Sequence, residues 1–339
     1  MSEKRQLLVT IALHDDQLQS LKEAAPQLEI EHQPVRQAED ILPEVWQETE
    51  ILYTWNVLPP KDQAPRLRWV QFQSAGVDKL LTHPLFENEE LIATSMSGAN
   101  APQVAEHALS LMLALAHRLP GMFSHQMRSD WPTDREKRFS PSELRNSTVG
   151  IVGYGSLGRA VAQLLRAFNT NILASKANAM QTADTGYRAP GIGDPEGDLP
   201  LRIYPGEALR SMFKECDFVV VTVPLTKKTR GLIGAEQIAA LKPEAFIVDV
   251  SRGGVLDHQA LIEALQKNAL AGAALDVFPQ EPLPADSLLW EMPNVIISPH
   301  VAGISDHYTD RALLLLEENL RRYLKDERLL NQIEPSKGY

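Results

Sequence analysis

Short apolar runs alternate along this chain with stretches whose apolar residues recur every three or four positions. That alternation of strand and helix predicts parallel sheets covered by helices. Residues 7–11, 50–54 and 67–72 read as strands, and 16–25 as a helix. Residues 102–119 read as a long helix, apolar nearly all round, with Asn100 placed to cap it. A helix of that kind is buried between domains or between subunits. The signals resume at Thr148, with strands over 148–152, 171–174, 218–223, 246–250 and 271–275 and helices over 157–168, 235–241 and 259–267. Residues 305–325 make an amphipathic helix, with Leu313, Leu316, Leu320 and Leu324 along one stripe. Two stretches break the pattern. Residues 129–145 are polar around Trp131, and 182–206 are rich in Gly, Pro and Asp without periodicity, so both read as loops.

Composition narrows the partners. The 339 residues fit two domains, and 44% hydrophobic with 23% charged is ordinary for a globular chain. Lys and Arg number 33 against 44 Asp and Glu, a net charge of −11, which argues against nucleic acid or a membrane surface as partner. No run is long and apolar enough to span a membrane, and Met1 to Gln6 lack the apolar core of a leader. The single cysteine, Cys216, closes no intrachain disulfide, so a reducing, cytoplasmic setting is expected. His and Cys do not cluster at ligand spacing, and no metal is expected. The expected partner is a small molecule.

Candidate chemistry begins at Thr148, where a strand runs into Gly153-Tyr154-Gly155-Ser156-Leu157-Gly158 and a helix follows. In this G-x-G-x-x-G turn Gly153 permits the tight turn, Gly155 the approach of a pyrophosphate, and Gly158 close helix–sheet packing. Ser156 and Leu157 open the helix, whose N-terminus supplies free N–H groups and the positive end of the dipole. A dinucleotide site of this kind ordinarily carries an acidic residue at the end of the next strand, to hold the ribose 2′-hydroxyl. Here Ser175-Lys176 stands in its place. A hydroxyl and an ammonium attract a 2′-phosphate, which favours NADP(H) over NAD(H). The other reading of Lys176 is a solvated strand end, with selection set elsewhere, for instance by the 182–206 stretch.

Further motifs lie in order from Val70 to Gly303. They are Ser74-Ala75-Gly76-Val77-Asp78, Val104-Ala105-Glu106-His107, Val223-Pro224-Leu225-Thr226, Asp249-Val250-Ser251-Arg252-Gly253-Gly254, Ala274 through Pro282, and Ser298-Pro299-His300-Val301-Ala302-Gly303. With the glycine turn among them, the chain resembles the D-isomer-specific 2-hydroxyacid dehydrogenases. Before Val70 only the alternation matches. The resemblance implies a catalytic trio of Arg252, Glu281 and His300. Reduction of a 2-oxo acid needs a grip on the carboxylate, a proton for the carbonyl oxygen and a hydride. Arg252 offers a planar charged fork. Histidine titrates near operating pH, so His300 can give and take the proton, and Glu281 beside it would keep it loaded. Read alone, Arg252 could be a surface arginine, His300 a core histidine and Glu281 a loop residue.

The resemblance also places Asp276 on the nicotinamide carboxamide, Pro224, Thr229 and Ser251 around the cofactor, and the backbone of Ala75 and Gly76 on the substrate carboxylate. Tyr53 and Trp55 are candidates for the wall of the substrate pocket, or for the core. The remaining histidines, His107 among them, are read as structural or surface. The expected architecture is α/β with two doubly wound parallel-sheet domains and a cleft between them. A Rossmann cofactor domain, residues 100–302, is inserted into a flavodoxin-like substrate domain of residues 1–99 and 303–339. The expected protein is a homodimer joined through the 102–119 helix, with Trp131 reaching a neighbour. The activity expected is hydride transfer between NADP(H), or NAD(H), and a small 2-oxo or 2-hydroxy acid. The alternative is a dinucleotide-sensing binding protein that uses the same fold without turnover. A formate or phosphite dehydrogenase is a third reading, lowered by Glu281, since formate enzymes typically carry glutamine at that place.

Overall fold

The computed structural model describes residues 5–78 and 80–334; residues 1–4, part of the stretch inspected for a leader, with Lys79 and 335–339, lie outside the described residues. The chain divides into two compact units, Met1–Asn100 with Ser305–Tyr339, and Ala101–Ile304.

The first unit holds β1 (Arg5–Val9), β2 (Leu28–His32), β3 (Thr49–Thr54), β4 (Trp69–Phe72) and β5 (Ile92–Thr94), all parallel in the order β2-β1-β3-β4-β5. This is the flavodoxin-like winding. Its central strands bury both faces, with Leu7, Leu8, Ile51, Leu52, Val70 and Phe72 wholly enclosed, as a parallel sheet under helices on both sides requires. The helix Tyr308–Leu324 belongs to this unit. It buries Leu313, Leu316 and Leu320, and its Asn319 amide donates to Gln71 Oε1 at 3.0 Å.

The second unit holds β6 (Thr148–Val152), β7 (Asn171–Ser175), β8 (Arg202–Tyr204), β9 (Phe218–Val221), β10 (Phe246–Asp249), β11 (Gly272–Leu275) and β12 (Val295–Ile297). The sheet is parallel throughout, ordered β12-β11-β10-β9-β6-β7-β8. The winding reverses at β6, which lies between β7 and β9, and ligands of such sheets bind beyond the strand ends at that point.

The sequence reading missed β2, β5, β8 and β12, which are the four edge strands of the two sheets. Edge strands are short or carry charge, as Leu28-Glu29-Ile30-Glu31-His32 does, so they leave little apolar signal. One of them corrects a boundary: β8 lies inside the 182–206 stretch that was expected to be loop throughout.

The apolar helix Ala101–Ala116 packs within the second unit. Its Val104, Ala105, Ala108, Met112 and Leu115 are buried in one cluster with Val161, Leu165 and Phe246, so its apolar surface is used inside the second unit. The pattern therefore needs no partner subunit to explain it. Asn100 Oδ1 is buried without a hydrogen-bond partner and does not make the cap expected of it.

Candidate active site

The glycine turn has the tight bend expected at Gly153 and the close packing expected at Gly158. Gly153 has φ +101, and a Cβ there would lie 2.7 Å from Val223 Cγ1. At Gly158 a Cβ would lie 2.2 Å from Gly153 O, so only hydrogen lets the helix approach the turn. A Cβ on Gly155 would meet nothing within 4 Å, which leaves open space at the N-terminus of the helix Ser156–Leu165. The turn is tied to β7, since Gly153 N and Tyr154 N both donate to Ser175 O, at 3.1 and 2.9 Å. Open space, free helix N–H groups and the neighbouring end of β7 fit a dinucleotide pyrophosphate. Leu157 packs against the core beneath the turn. Lys176 follows β7, its Nζ donating to Gln181 O at 2.5 Å and Ala183 O at 3.4 Å. Its ammonium pKa is lowered, chiefly by burial and then by the charge of Arg159.

Arg252, Glu281 and His300 follow β10, β11 and β12, which are neighbours in the sheet and parallel. All three therefore emerge from the same end of one sheet. Gly253 explains how closely the first two loops meet: a Cβ there would lie 1.9 Å from Phe278 O. Glycine is required, and Arg252 is held against the segment that leads to Glu281. Arg252 Nη1 donates to Ser251 O at 2.8 Å.

His300 Nδ1 and Glu281 Oε2 lie 2.8 Å apart, and the other carboxylate oxygen, Oε1, accepts from Phe278 N at 3.0 Å. The imidazole thus has a fixed acceptor on one side and keeps Nε2 for another partner. His300 adopts φ +55, a conformation that side chains with a Cβ rarely hold unless the surroundings impose it. Asp276 imposes it. Almost wholly buried, its carboxylate accepts Val301 N at 3.0 Å, Ala302 N at 3.1 Å and the Ser298 hydroxyl at 2.5 Å. These bonds clamp the turn on both sides of His300. Besides the nicotinamide contact expected of it, Asp276 holds this turn through its carboxylate oxygens.

His107 was read as structural or surface, yet it belongs to this cluster. From the helix Ala101–Ala116 its Nε2 lies 2.9 Å from Ser298 Oγ and 3.7 Å from Asp276 Oδ1. The signal was in the chain, since Val104-Ala105-Glu106-His107 was itself one of the recognised motifs.

Other expected site residues are held by their own turns. Ser251 donates through N and Oγ to Asp249 Oδ1, at 2.9 and 2.5 Å. Thr229 Oγ1 donates to Pro224 O at 2.6 Å and accepts Thr226 N at 2.8 Å, closing the loop after β9. In the first unit, Ser74 Oγ donates to Gly76 O at 2.9 Å, shaping a half-buried turn that presents Ala75 and Gly76. Tyr53 corrects the pocket reading: it is 0% exposed and its hydroxyl is taken by Gln73, which makes it a core residue. Trp55, 48% exposed, lies 6.1 Å from the Tyr308 ring and keeps a solvent face.

Asp249, at the end of β10, is wholly buried, and its Oδ2 has no hydrogen-bond partner. Burial outweighs the Ser251 bonds and pushes its carboxyl up to about 7. The folded state therefore holds a proton that the unfolded chain gives up near pH 4, so this group costs stability as pH rises from 4 through 7. Asp249→Asn is expected to gain about 2 kcal/mol or more at pH 8 and almost nothing at pH 4. Urea unfolding at the two values checks this; equal midpoint changes at both would refute it.

Among the described residues no group of three His, Cys, Asp or Glu could hold a metal ion, and no helix is long and apolar enough to cross a membrane. The family described as D-isomer specific 2-hydroxyacid dehydrogenase, NAD binding domain, matches residues 109–302. A glyoxylate/hydroxypyruvate reductase B of Pectobacterium carotovorum is 34% identical over 73% of this chain and 72% of its own length. A D-3-phosphoglycerate dehydrogenase of Methanocaldococcus jannaschii is 31% identical over 95% of this chain, which spans 58% of that relative. The solved D-isomer specific 2-hydroxyacid dehydrogenase of Xanthobacter autotrophicus, in complex with NADPH and MES, superposes with a TM-score of 0.79 at 30% identity, covering 99% of this chain and 100% of that one. With its glycine turn, its Arg, Glu and His beyond three adjacent strands and these matches, the chain belongs to the D-isomer specific 2-hydroxyacid dehydrogenase family.

Proposed function

We propose that this protein is an NADP(H)-preferring reductase of small 2-oxo acids, glyoxylate and hydroxypyruvate being the first to test. The observation that carries the reading is the His300–Glu281 pair, 2.8 Å apart, beyond the strand next to the one that ends at Arg252. Arg252 grips the substrate carboxylate through its planar fork and polarises the adjacent carbonyl. Glu281 accepts from His300 Nδ1, which directs Nε2 at the carbonyl oxygen as proton donor in reduction and acceptor in oxidation. When bound, the nicotinamide supplies or takes the hydride. Asp276 and His107 keep the His300 turn in place. The resemblance supports the Ala75 and Gly76 backbone as a second hold on the carboxylate. It also supports a homodimer, for which the exposed Phe123, Met127 and Trp131 offer apolar surface.

The preference for NADP(H) rests on Lys176 where an acidic ribose ligand is ordinarily found, and on NADPH in the Xanthobacter relative. Lys176→Asp is expected to move the ratio of NADPH to NADH efficiency at least about tenfold toward NADH, because a carboxylate repels the 2′-phosphate. A ratio unmoved by the substitution would take Lys176 out of the selector.

Initial rates with both cofactors across a panel of 2-oxo acids test the whole reading. Saturable oxidation of NADPH by at least one small acid supports it. Tight dinucleotide binding without turnover on any acid would replace it with a sensor.

A further inference from the structure

The 176–201 segment between β7 and β8 takes no part in the proposed proton and hydride transfer, yet it is built around a buried cation. Arg159, 1% exposed on the cofactor helix, stacks on the Tyr154 ring at 4.7 Å and donates to the carbonyls of Asp194 and Thr182. The Tyr154 hydroxyl donates to Asp194 Oδ2 at 2.6 Å, and the same carboxylate accepts Asp198 N and Leu199 N, each at 3.1 Å. One turn further along the helix, Gln163 holds Gly191 O at 2.9 Å and Gly193 N at 2.7 Å. Gly197, at φ +81, lets the segment cross itself, since a Cβ there would lie 2.6 Å from Thr182 O. Burying a guanidinium is costly without such a set of partners, so the segment is mounted on the helix as a fixed piece.

This mount sets the segment against the cofactor turn. Ser156, the first residue of the helix, donates through Oγ to Tyr187 O at 3.2 Å. Arg188 follows directly, is exposed, and has no ion pair among the described residues. At the other side of the turn the Lys176 ammonium is already engaged by two carbonyls of the same segment. The segment thus runs from the end of β7, where the ribose 2′-position of a bound dinucleotide belongs, to the first residue of the helix. Arg188 is the residue next to the point where the segment is tied to Ser156.

We infer that Arg188 reads the 2′-phosphate of NADP(H) together with the positive charge at Lys176, and that Arg159, Tyr154 and Asp194 are positioning residues that mount the segment bearing it. The inference rests on the NADP(H) preference proposed above and assigns it to a segment that the family fingerprint does not contain. An arginine matches a phosphate with a planar fork of donors, which an ammonium held by two carbonyls does not.

Equilibrium binding of NADPH and NADH to the full chain, followed by nucleotide fluorescence without substrate, tests this. Arg188→Ala is expected to raise the NADPH Kd about ten- to a hundredfold and to leave the NADH Kd within about twofold. Arg188→Lys should recover part of the loss. Tyr154→Phe, which removes the bond to Asp194 and keeps the Arg188 side chain itself, should weaken NADPH several-fold more than NADH. An unchanged NADPH Kd in Arg188→Ala would overturn the assignment, and equal weakening of both nucleotides would move Arg188 to the pyrophosphate. An unchanged ratio in Tyr154→Phe would overturn the mounting role. A wild-type chain without preference for NADPH would overturn the cofactor reading itself, and this inference with it.

Discussion

His300→Ala is expected to lower kcat for 2-oxo acid reduction about a hundred- to ten-thousandfold, the usual contribution of a positioned general acid, with NADPH affinity within about twofold of wild type. The large kinetic effect follows from the position of the ring: Glu281 takes Nδ1 and leaves Nε2 for the proposed proton transfer. Cofactor affinity should survive because the glycine turn follows β6, separated from β12 by three intervening strands. Backbone strain has to be controlled for, since residue 300 sits at φ +55. Asparagine tolerates that conformation better than alanine, so His300→Asn keeps the turn while removing the acid. Both variants should lose the rate alike. A residual rate above about a tenth of wild type in either would mean that another group supplies the proton.

Arg252→Ala should reduce kcat/KM for the acid about a thousandfold, through KM and kcat together, because the proposed role of the guanidinium is both to bind the carboxylate and to polarise the carbonyl. Arg252→Lys separates charge from geometry. It keeps the charge, loses the two-pronged fork, and should recover only part of the loss. The structure supplies the reason for expecting a specific effect. Gly253 packs its Cα against Phe278 O, so the arginine stands on a turn with little freedom to relocate. Retention of KM in Arg252→Ala would place the carboxylate elsewhere.

The reading of the chain found what burial writes into sequence. The central strands of both sheets announce themselves as apolar runs, because each is covered on two faces. The glycine turn is legible because each of its three glycines answers a separate steric demand. The edge strands are not legible, since half of each strand's hydrogen bonding and much of its surface face water. Side-chain engagement was not legible either. That Asp276 also clamps the turn from Ser298 to Ala302 leaves no mark in one dimension, since these partners are distant in the chain. The contacts of His107 and Tyr53 are not legible for the same reason: one lies 191 positions from its partner Ser298, the other 20 from Gln73. The 182–206 stretch carried no periodicity because its order comes from one buried arginine and carbonyl contacts, not from an apolar stripe.

Charge gives the site its last constraint. The chain carries a net −11, and both the proposed substrate and the proposed cofactor are anions. The overall field opposes their approach, so binding must rest on local positive features: Arg252, the helix N-terminus after Gly155, and the cations at 176 and 188.

The central claim is that this fold transfers a hydride to the carbon of a 2-oxo acid while His300 protonates the oxygen. NADPH bearing two deuterium atoms at C4 of the nicotinamide, incubated with the protein and glyoxylate or hydroxypyruvate, tests it most directly by mass spectrometry of the product. The account predicts one deuterium on C2 of the hydroxy acid, formed by wild type and lost with His300→Asn. NADPH bound with no labelled hydroxy acid from any 2-oxo acid supplied would contradict it.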